Sequence, residues 1–194
     1  MTKQKELLLV PAVIATGIMS FAGVLIETAM NVTFPTLITQ FDLTTAQVQW
    51  VTTIYLLMIS IIVPLSTYLN RNFSIRKLFL FSNFLFLAGI LVDFFSPTFM
   101  ILLMGRLLQG IATGIALPLM FHIILTYAPM NRRGTMIGVG TLTTAIAPAI
   151  GPTYGGILTS AFTWNHIFLF LVPVLLISLV IGLFSIPETS VEKG

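Results

Sequence analysis

The chain has 194 residues, of which 57% are hydrophobic and 8% are charged, with a mean hydropathy of +1.04. Soluble domains carry about 25% charged residues, so this composition excludes an ordinary soluble protein and predicts a membrane protein. The net charge of +3 comes from dispersed basic residues, which argues against nucleic-acid binding, and the absence of cysteine excludes disulfides and thiolate metal sites.

Six apolar stretches have the length of about 20 residues that a membrane-spanning helix needs. We therefore predict an all-α, multi-pass membrane protein in which residues 1–190 form one six-helix bundle. Residues 187–194 are expected to begin a cytoplasmic connection. The predicted spans cover residues 7–34, 46–68, 78–95, 98–126, 135–160 and 167–186.

The positions of the basic residues predict the orientation of the spans. Eight of the nine Lys and Arg residues lie before the first span, after the last one, or in the second–third and fourth–fifth connections. Cytoplasmic loops of membrane proteins are enriched in Lys and Arg. Both termini are therefore expected to be cytoplasmic, in a bacterial plasma membrane.

The ninth basic residue, Arg106, lies inside the fourth span. A cation there costs about 2.5–3.5 kcal/mol even on lenient insertion scales, so it needs a partner or a water-filled path. At 1.5 Å per residue, Glu27 and Arg106 lie about 7 Å and 9 Å from the middle of their spans, on the same outer side. These opposite charges relieve each other's burial if the two helices face one another.

Two interpretations of this pair remain open. In one, a static ion pair fixes helix packing. In the other, Glu27 exchanges a proton or binds a cationic substrate, while Arg106 tunes its proton affinity and helps to close the site. Asn31 and Gln109, each about one turn away, are expected to add neutral hydrogen-bonding groups to the same region.

Two other polar residues fit a simpler interpretation. Asp93 lies close to the outer end of the third span, and we interpret it as a solvated interfacial carboxylate. His122, near the inner end of the fourth span, is expected to be a packed or interfacial residue. Neither side chain is included in the predicted coupling site.

The fifth span repeats small residues every four positions, with two prolines and a further glycine between them. Small residues at this spacing let helices approach closely, and a proline removes a backbone hydrogen bond and bends the helix. The pattern is compatible with a moving interface or with ordinary tight packing. Its members are Thr143, Ala147, Gly151 and Gly155, interleaved with Pro148, Pro152 and Gly156.

Several motifs resemble those of the major facilitator superfamily. Residues 106–110 are similar to its Arg-x-x-Gln-Gly motif, whose arginine the family associates with proton coupling. Residues 148–156 resemble the fifth-helix motif of the drug:proton antiporters. Residues 27–35 resemble the first-helix acidic motif of the antiporter branch with fourteen spanning helices, which includes the lincomycin-resistance and multidrug exporters.

The loop after the second span departs from the family pattern. The superfamily has Gly-x-Leu-x-Asp-x-x-Gly-Arg-Lys there, whereas this chain keeps only the basic end, Arg76 and Lys77. Both glycines and the acid are replaced, and Arg71 reverses the charge. The cytoplasmic latch that the family builds from that acid is therefore in doubt.

The resemblance implies proton-coupled efflux of drug-like, amphipathic or cationic molecules, with the proton gradient as the energy source and no cofactor. Such transporters bind substrate between two six-helix bundles, so this chain is expected to be the N-terminal half and to need a C-terminal bundle or a second copy. Met30 and Tyr154 are candidate substrate-lining residues.

Other functions remain possible from the sequence. The chain could be a transport-incompetent membrane subunit that needs a partner, and a proton symporter is a weaker alternative because symporters generally lack the fifth-helix motif. A membrane enzyme has little support, since no nucleophile–base pairing, metal-ligand spacing or phosphate-binding loop is present.

Overall fold

The computed structural model describes the backbone of residues 3–186 and the side chains from Leu9 onward. The predicted connection at 187–194 lies outside these residues. The helices are α1 (Lys3–Met30), α2 (Phe34–Phe41), α3 (Thr45–Val48), α4 (Trp50–Asn72), α5 (Ile75–Phe94), α6 (Phe99–Tyr127), α7 (Met130–Ala161), α8 (His166–Leu169) and α9 (Val172–Ser185).

These helices form six apolar spans in the described part of the chain, which confirms the predicted fold class. Three spans are single helices, namely α5, α6 and α7. The other three are composite: α1 continues into α2, α3 into α4, and α8 into α9.

The first span is longer than predicted, because the helix does not stop near Pro35. A single 3₁₀ turn, Asn31–Thr33, follows α1, and Pro35 occupies the first turn of α2, where its missing N–H is tolerated. The span ends at Asp42, whose φ of 52° is left-handed. Asp42 N–H and Leu43 N–H both bond to Ile38 O, which closes the helix end.

The second span begins with a capping box at Thr44. Thr44 Oγ1 accepts a hydrogen bond from Gln47 N at 3.2 Å, and Gln47 Oε1 accepts one from Thr44 N at 2.8 Å. The last span is interrupted between α8 and α9, where Pro173 cannot donate to the preceding turn. The apolar span His166–Ser185 agrees with the predicted span of residues 167–186.

Two spans form the centre of the bundle. Buried residues make up 61% of the most apolar window of both the first span and α6, but only 17% of that window in the second span and in α7. Helix α6 packs against α4, α5 and α1, and α1 also packs against α7 and α9. Broad apolar faces of α4 and α7 are therefore left uncovered.

Glycines on one face of α7 allow close contact with α1. A Cβ on Gly155 would lie 2.6 Å from Ala29 O, and one on Gly151 would overlap the Thr28 hydroxyl. Pro148 and Pro152 lie on the exposed side, and Gly156 has no atom within 4 Å of its Cβ position. The small-residue repeat thus combines a packed face with an exposed proline-bearing face.

We expect Gly155→Ala to destabilise the bundle by about 1–3 kcal/mol, because the new methyl group meets the α1 backbone and not a movable side chain. Gly156→Ala is the matched control and should cause no loss, because its Cβ enters open space. Thermal unfolding of the purified chain in detergent micelles measures both. Equal stability of the two variants would contradict the close α1–α7 contact.

Candidate functional site

Arg106 is fully buried in α6 and is held by three groups. Its Nε donates to Val51 O at 3.1 Å, and its NH1 donates to Gln109 Oε1 at 2.9 Å. The guanidinium carbon lies 4.2 Å from the centre of the Tyr55 ring, a cation–π contact. The cation that the sequence places inside the membrane is therefore compensated by neutral groups of α4 and α6.

Tyr55 connects this cation to the first span. Its hydroxyl donates to Gly23 O at 2.7 Å and hydrogen-bonds with Thr113 Oγ1 at 2.8 Å. A Cβ on Gly23 would lie only 2.5 Å from that threonine oxygen, so the glycine permits the close approach of α1 and α6. One fully buried tyrosine therefore joins α1, α4 and α6 beneath the guanidinium.

Glu27 lies one turn after Gly23 on α1 and is half-buried. It interacts electrostatically with Arg106 and with Tyr55. Among the described residues, however, Arg106 has no hydrogen bond from its third nitrogen, NH2, and its two side-chain bonds go to other partners. Arg106 and Glu27 therefore interact through space, and the hydrogen bonds of the Arg106 side chain go to Val51 and Gln109 instead.

Asp93 is a correction to the sequence interpretation. Its side chain has no exposed area, so it is not a solvated interfacial carboxylate. Asp93 Oδ2 accepts a hydrogen bond from Gln109 Nε2 at 2.6 Å, and Asp93 Oδ1 has no partner among the described residues. The α5–α6 contact encloses it because Gly105 leaves the space: a Cβ there would overlap the carboxylate.

The neutral residues predicted for the site lie in different surroundings. Gln109 is fully buried between Arg106 and Asp93, whereas Asn31 is exposed and its Oδ1 accepts a hydrogen bond from Thr52 Oγ1 at 3.1 Å. Asn31 therefore links the 3₁₀ turn that follows α1 to α4. Of these two residues, Gln109 is the one that belongs to the buried network.

The two candidate lining residues are used mainly for packing. Met30 has no exposed area and belongs to the apolar core, so it does not line an exposed wall in this structure. Tyr154 is partly buried, and its hydroxyl donates to Ile167 O at 2.7 Å, which ties α7 to α8. Neither side chain offers a free polar group to a substrate.

The basic residues of the second–third connection lie at the far end of the bundle. Arg71 is exposed at the end of α4, Arg76 is partly buried in the first turn of α5, and Lys77 follows it on the surface. Arg71 also lines a groove of about 670 Å³ between α4 and α6, together with the half-buried His122. The surface of the groove is mostly apolar, although Ser66, Thr67 and Asn70 also line it.

Comparisons with known proteins identify the class of protein. The family model of the Major Facilitator Superfamily matches residues 16–194. The solved structure of a bacterial homologue of the human lysosomal transporter Spinster, in its inward-facing and unoccupied conformation, superposes with a TM-score of 0.77. It is 16% identical, and the match covers 98% of this chain and 45% of that one, so the likeness concerns the fold. The chain belongs to the major facilitator superfamily.

Several curated relatives are named as resistance or multidrug export proteins. The lincomycin resistance protein LmrB of Listeria monocytogenes is 40% identical over 180 residues, 92% of this chain and 38% of the relative. LmrB of Bacillus subtilis is 38% identical over 89% of this chain and 36% of its own length. The multidrug export protein EmrB of Haemophilus influenzae is 29% identical over 83% of this chain and 32% of its own length. The chain thus spans less than half the length of these relatives.

The Tyr55 ring and its hydroxyl are expected to contribute separately to stability. Tyr55→Phe keeps the cation–π contact but removes the bonds to Gly23 and Thr113, at a cost of about 1–2 kcal/mol. Tyr55→Leu also removes the ring under Arg106 and should cost about 0.5–2 kcal/mol more.

Thermal unfolding of both variants in micelles measures the difference. Tyr68→Leu is a suitable control, because that tyrosine is exposed on the same helix. If the two Tyr55 variants were equally stable, the ring would not be compensating the buried cation.

Proposed function

We propose that this chain is the N-terminal six-helix bundle of a proton-coupled exporter of drug-like molecules, amphipathic or cationic. The observation that supports this most directly is a buried guanidinium beside a half-buried carboxylate on an adjacent helix. Ionisable groups inside a membrane are costly and mark ion or proton pathways. The names of the relatives LmrB and EmrB support export of drugs.

Glu27 is the group proposed to carry the proton. In the outward-facing state it takes a proton from outside, and in the inward-facing state it loses that proton while substrate binds in competition. Arg106 adjusts the proton affinity of Glu27 through space, because its own hydrogen bonds are made to Val51 and Gln109. A direct Arg106–Glu27 pair would hold the carboxylate, whereas the observed arrangement leaves it available.

The available driving force is adequate for export. One pH unit provides about 1.4 kcal/mol per proton, and a membrane potential of 100 mV adds about 2.3 kcal/mol per charge moved. The energy source is therefore the proton gradient, and no cofactor is needed.

A second bundle is proposed to complete the transport path. The faces of α4 and α7 are largely uncovered, and the exposed side of α7 carries Pro148 and Pro152. In this family the substrate site lies between two bundles that rock against each other. A C-terminal bundle, or a second copy of the chain, would cover these faces, and the exposed prolines would lie at the moving contact.

We expect Glu27→Gln to abolish pH-gradient-driven drug efflux by the transporter that contains this chain, because the amide cannot bind and release a proton. Arg106→Lys should reduce efflux strongly, since an ammonium cannot keep both the Val51 and Gln109 bonds in the same geometry. Reconstitution in liposomes with an imposed pH gradient measures both. Asp42→Asn, at an exposed position where Asn tolerates the left-handed backbone, is the control.

Intact proton-dependent efflux by Glu27→Gln would exclude the coupling role. The same assay on the 194-residue chain alone distinguishes the alternatives. Gradient-dependent movement of drug would show that six helices suffice, as a dimer. The absence of transport by a folded chain would agree with half a transporter or with a subunit that needs a partner.

We propose a plasma-membrane location with both termini in the cytoplasm. The chain has no cysteine, so single cysteines report topology directly. A cysteine at the exposed Asn72, the last residue of α4, should be shielded from an impermeant maleimide in intact cells. A cysteine at the exposed Phe162, between α7 and α8, should be labelled. The reverse pattern would overturn the orientation.

A further inference from the structure

We propose that Asp93 is a positioning residue for Arg106, acting through Gln109. The two charged residues do not share a hydrogen bond. Gln109 lies between them and bonds to each, with its oxygen toward Arg106 and its nitrogen toward Asp93. The inference rests on the proposed function for the importance of Arg106 to transport, and it adds a fourth helix, α5, to α1, α4 and α6.

The geometry of the α5–α6 contact holds these groups in place. A Cβ on Gly105 would overlap Asp93, and a Cβ on Gly89 would lie 2.8 Å from Gln109 Cγ and 2.9 Å from Gly105 O. Two glycines on facing helices thus leave the space that the carboxylate and the amide fill. All three polar side chains are fully buried, so water does not replace their bonds.

The donors and acceptors of Arg106, Gln109 and Asp93 allow only one order of hydrogen bonds. A guanidinium only donates hydrogen bonds, and a carboxylate only accepts them. The Gln109 amide can satisfy both neighbours in a single orientation, in which its oxygen accepts from Arg106 and its nitrogen donates to Asp93. If the amide were reversed, its N–H groups would face the guanidinium and its oxygen would face the carboxylate, and neither contact could be a hydrogen bond. The negative charge on Asp93 therefore selects the observed orientation.

The orientation matters because Arg106 has few other partners. Its NH2 has no hydrogen bond among the described residues, and its Nε bond to Val51 O is the one other hydrogen bond that the structure gives its side chain there. If Gln109 reversed, NH1 would lose its acceptor, and the guanidinium would be anchored by Val51 O and the Tyr55 ring alone. Asp93 therefore controls how firmly Arg106 is held without touching it.

Asp93→Asn tests this directly, because it nearly preserves shape and removes the charge. Asparagine can donate to, or accept from, Gln109, so either amide orientation becomes possible. The double variant Asp93→Asn with Gln109→Glu again allows only one order of hydrogen bonds. The asparagine amide introduced at position 93 donates to the new carboxylate at position 109, and this carboxylate also accepts from Arg106. A role limited to filling space would make Asp93→Asn silent and would give the double variant no advantage.

The readout is the Arg106 side-chain Nη–H signal in nitrogen NMR of the labelled chain in nanodiscs, because NH1 is the nitrogen that donates to Gln109. The chain has five arginines, and the signal missing from Arg106→Lys assigns the one of interest. We expect Asp93→Asn to speed hydrogen exchange at this group about tenfold, the effect of losing one charge-assisted hydrogen bond. The double variant should return it to near the wild-type rate, and Asp42→Asn should leave it unchanged.

Unchanged exchange in Asp93→Asn would overturn the proposal, as would a double variant that exchanges as fast as the single one. Misfolding of the double variant also counts against it, because that variant restores the donor–acceptor order from Arg106 through position 109 to position 93. The signal is recorded without substrate or proton gradient. A failed transport prediction for Glu27 or Arg106 would therefore leave the exchange result intact. A failed exchange prediction for Asp93 would likewise leave the transport predictions intact.

Discussion

The burial of one guanidinium charge determines how the centre of this bundle is built. Arg106 has no exposed area, and four helices contribute to its compensation: α4 through Val51 and Tyr55, α6 through Gln109, α5 through Asp93, and α1 through Glu27 and the Tyr55–Gly23 bond. Removing one partner from such a buried group costs more than the mean value of a single hydrogen bond, because the remaining charge stays desolvated.

Glycines are the second part of this arrangement, because polar groups can meet at the centre only if the helix backbones come close. Gly23 admits the tyrosine–threonine pair, and Gly105 admits the carboxylate of Asp93. Gly105 belongs to the same short segment as Arg106 and Gln109. The glycine and the polar residues of this segment thus form one unit in which close backbone approach and charge compensation depend on each other.

The hydropathy of the chain was sufficient to predict six spans. The end of the first span was not predictable, because Pro35 lies in the first turn of α2, where its missing N–H is tolerated and the span continues to Phe41. Pro173 lies at the equivalent position in α9. For the site, helix depth placed Glu27 and Arg106 at a common level. Depth carries no information about which way a side chain faces, so Asp93 was assigned to solvent although it points into α6. Tyr55, a neutral aromatic among many apolar residues, gave no signal.

The order of the compensating groups along the chain has a consequence for biosynthesis. Val51, Tyr55 and Asp93, as well as Glu27, all precede Arg106, and Gln109 follows it on the same helix. A chain synthesised from its N-terminus therefore delivers α6 to a membrane that already holds the earlier partners. The guanidinium can therefore move from the translocation machinery directly to a site that already contains its polar partners, so that α6 need not be surrounded by lipid alone.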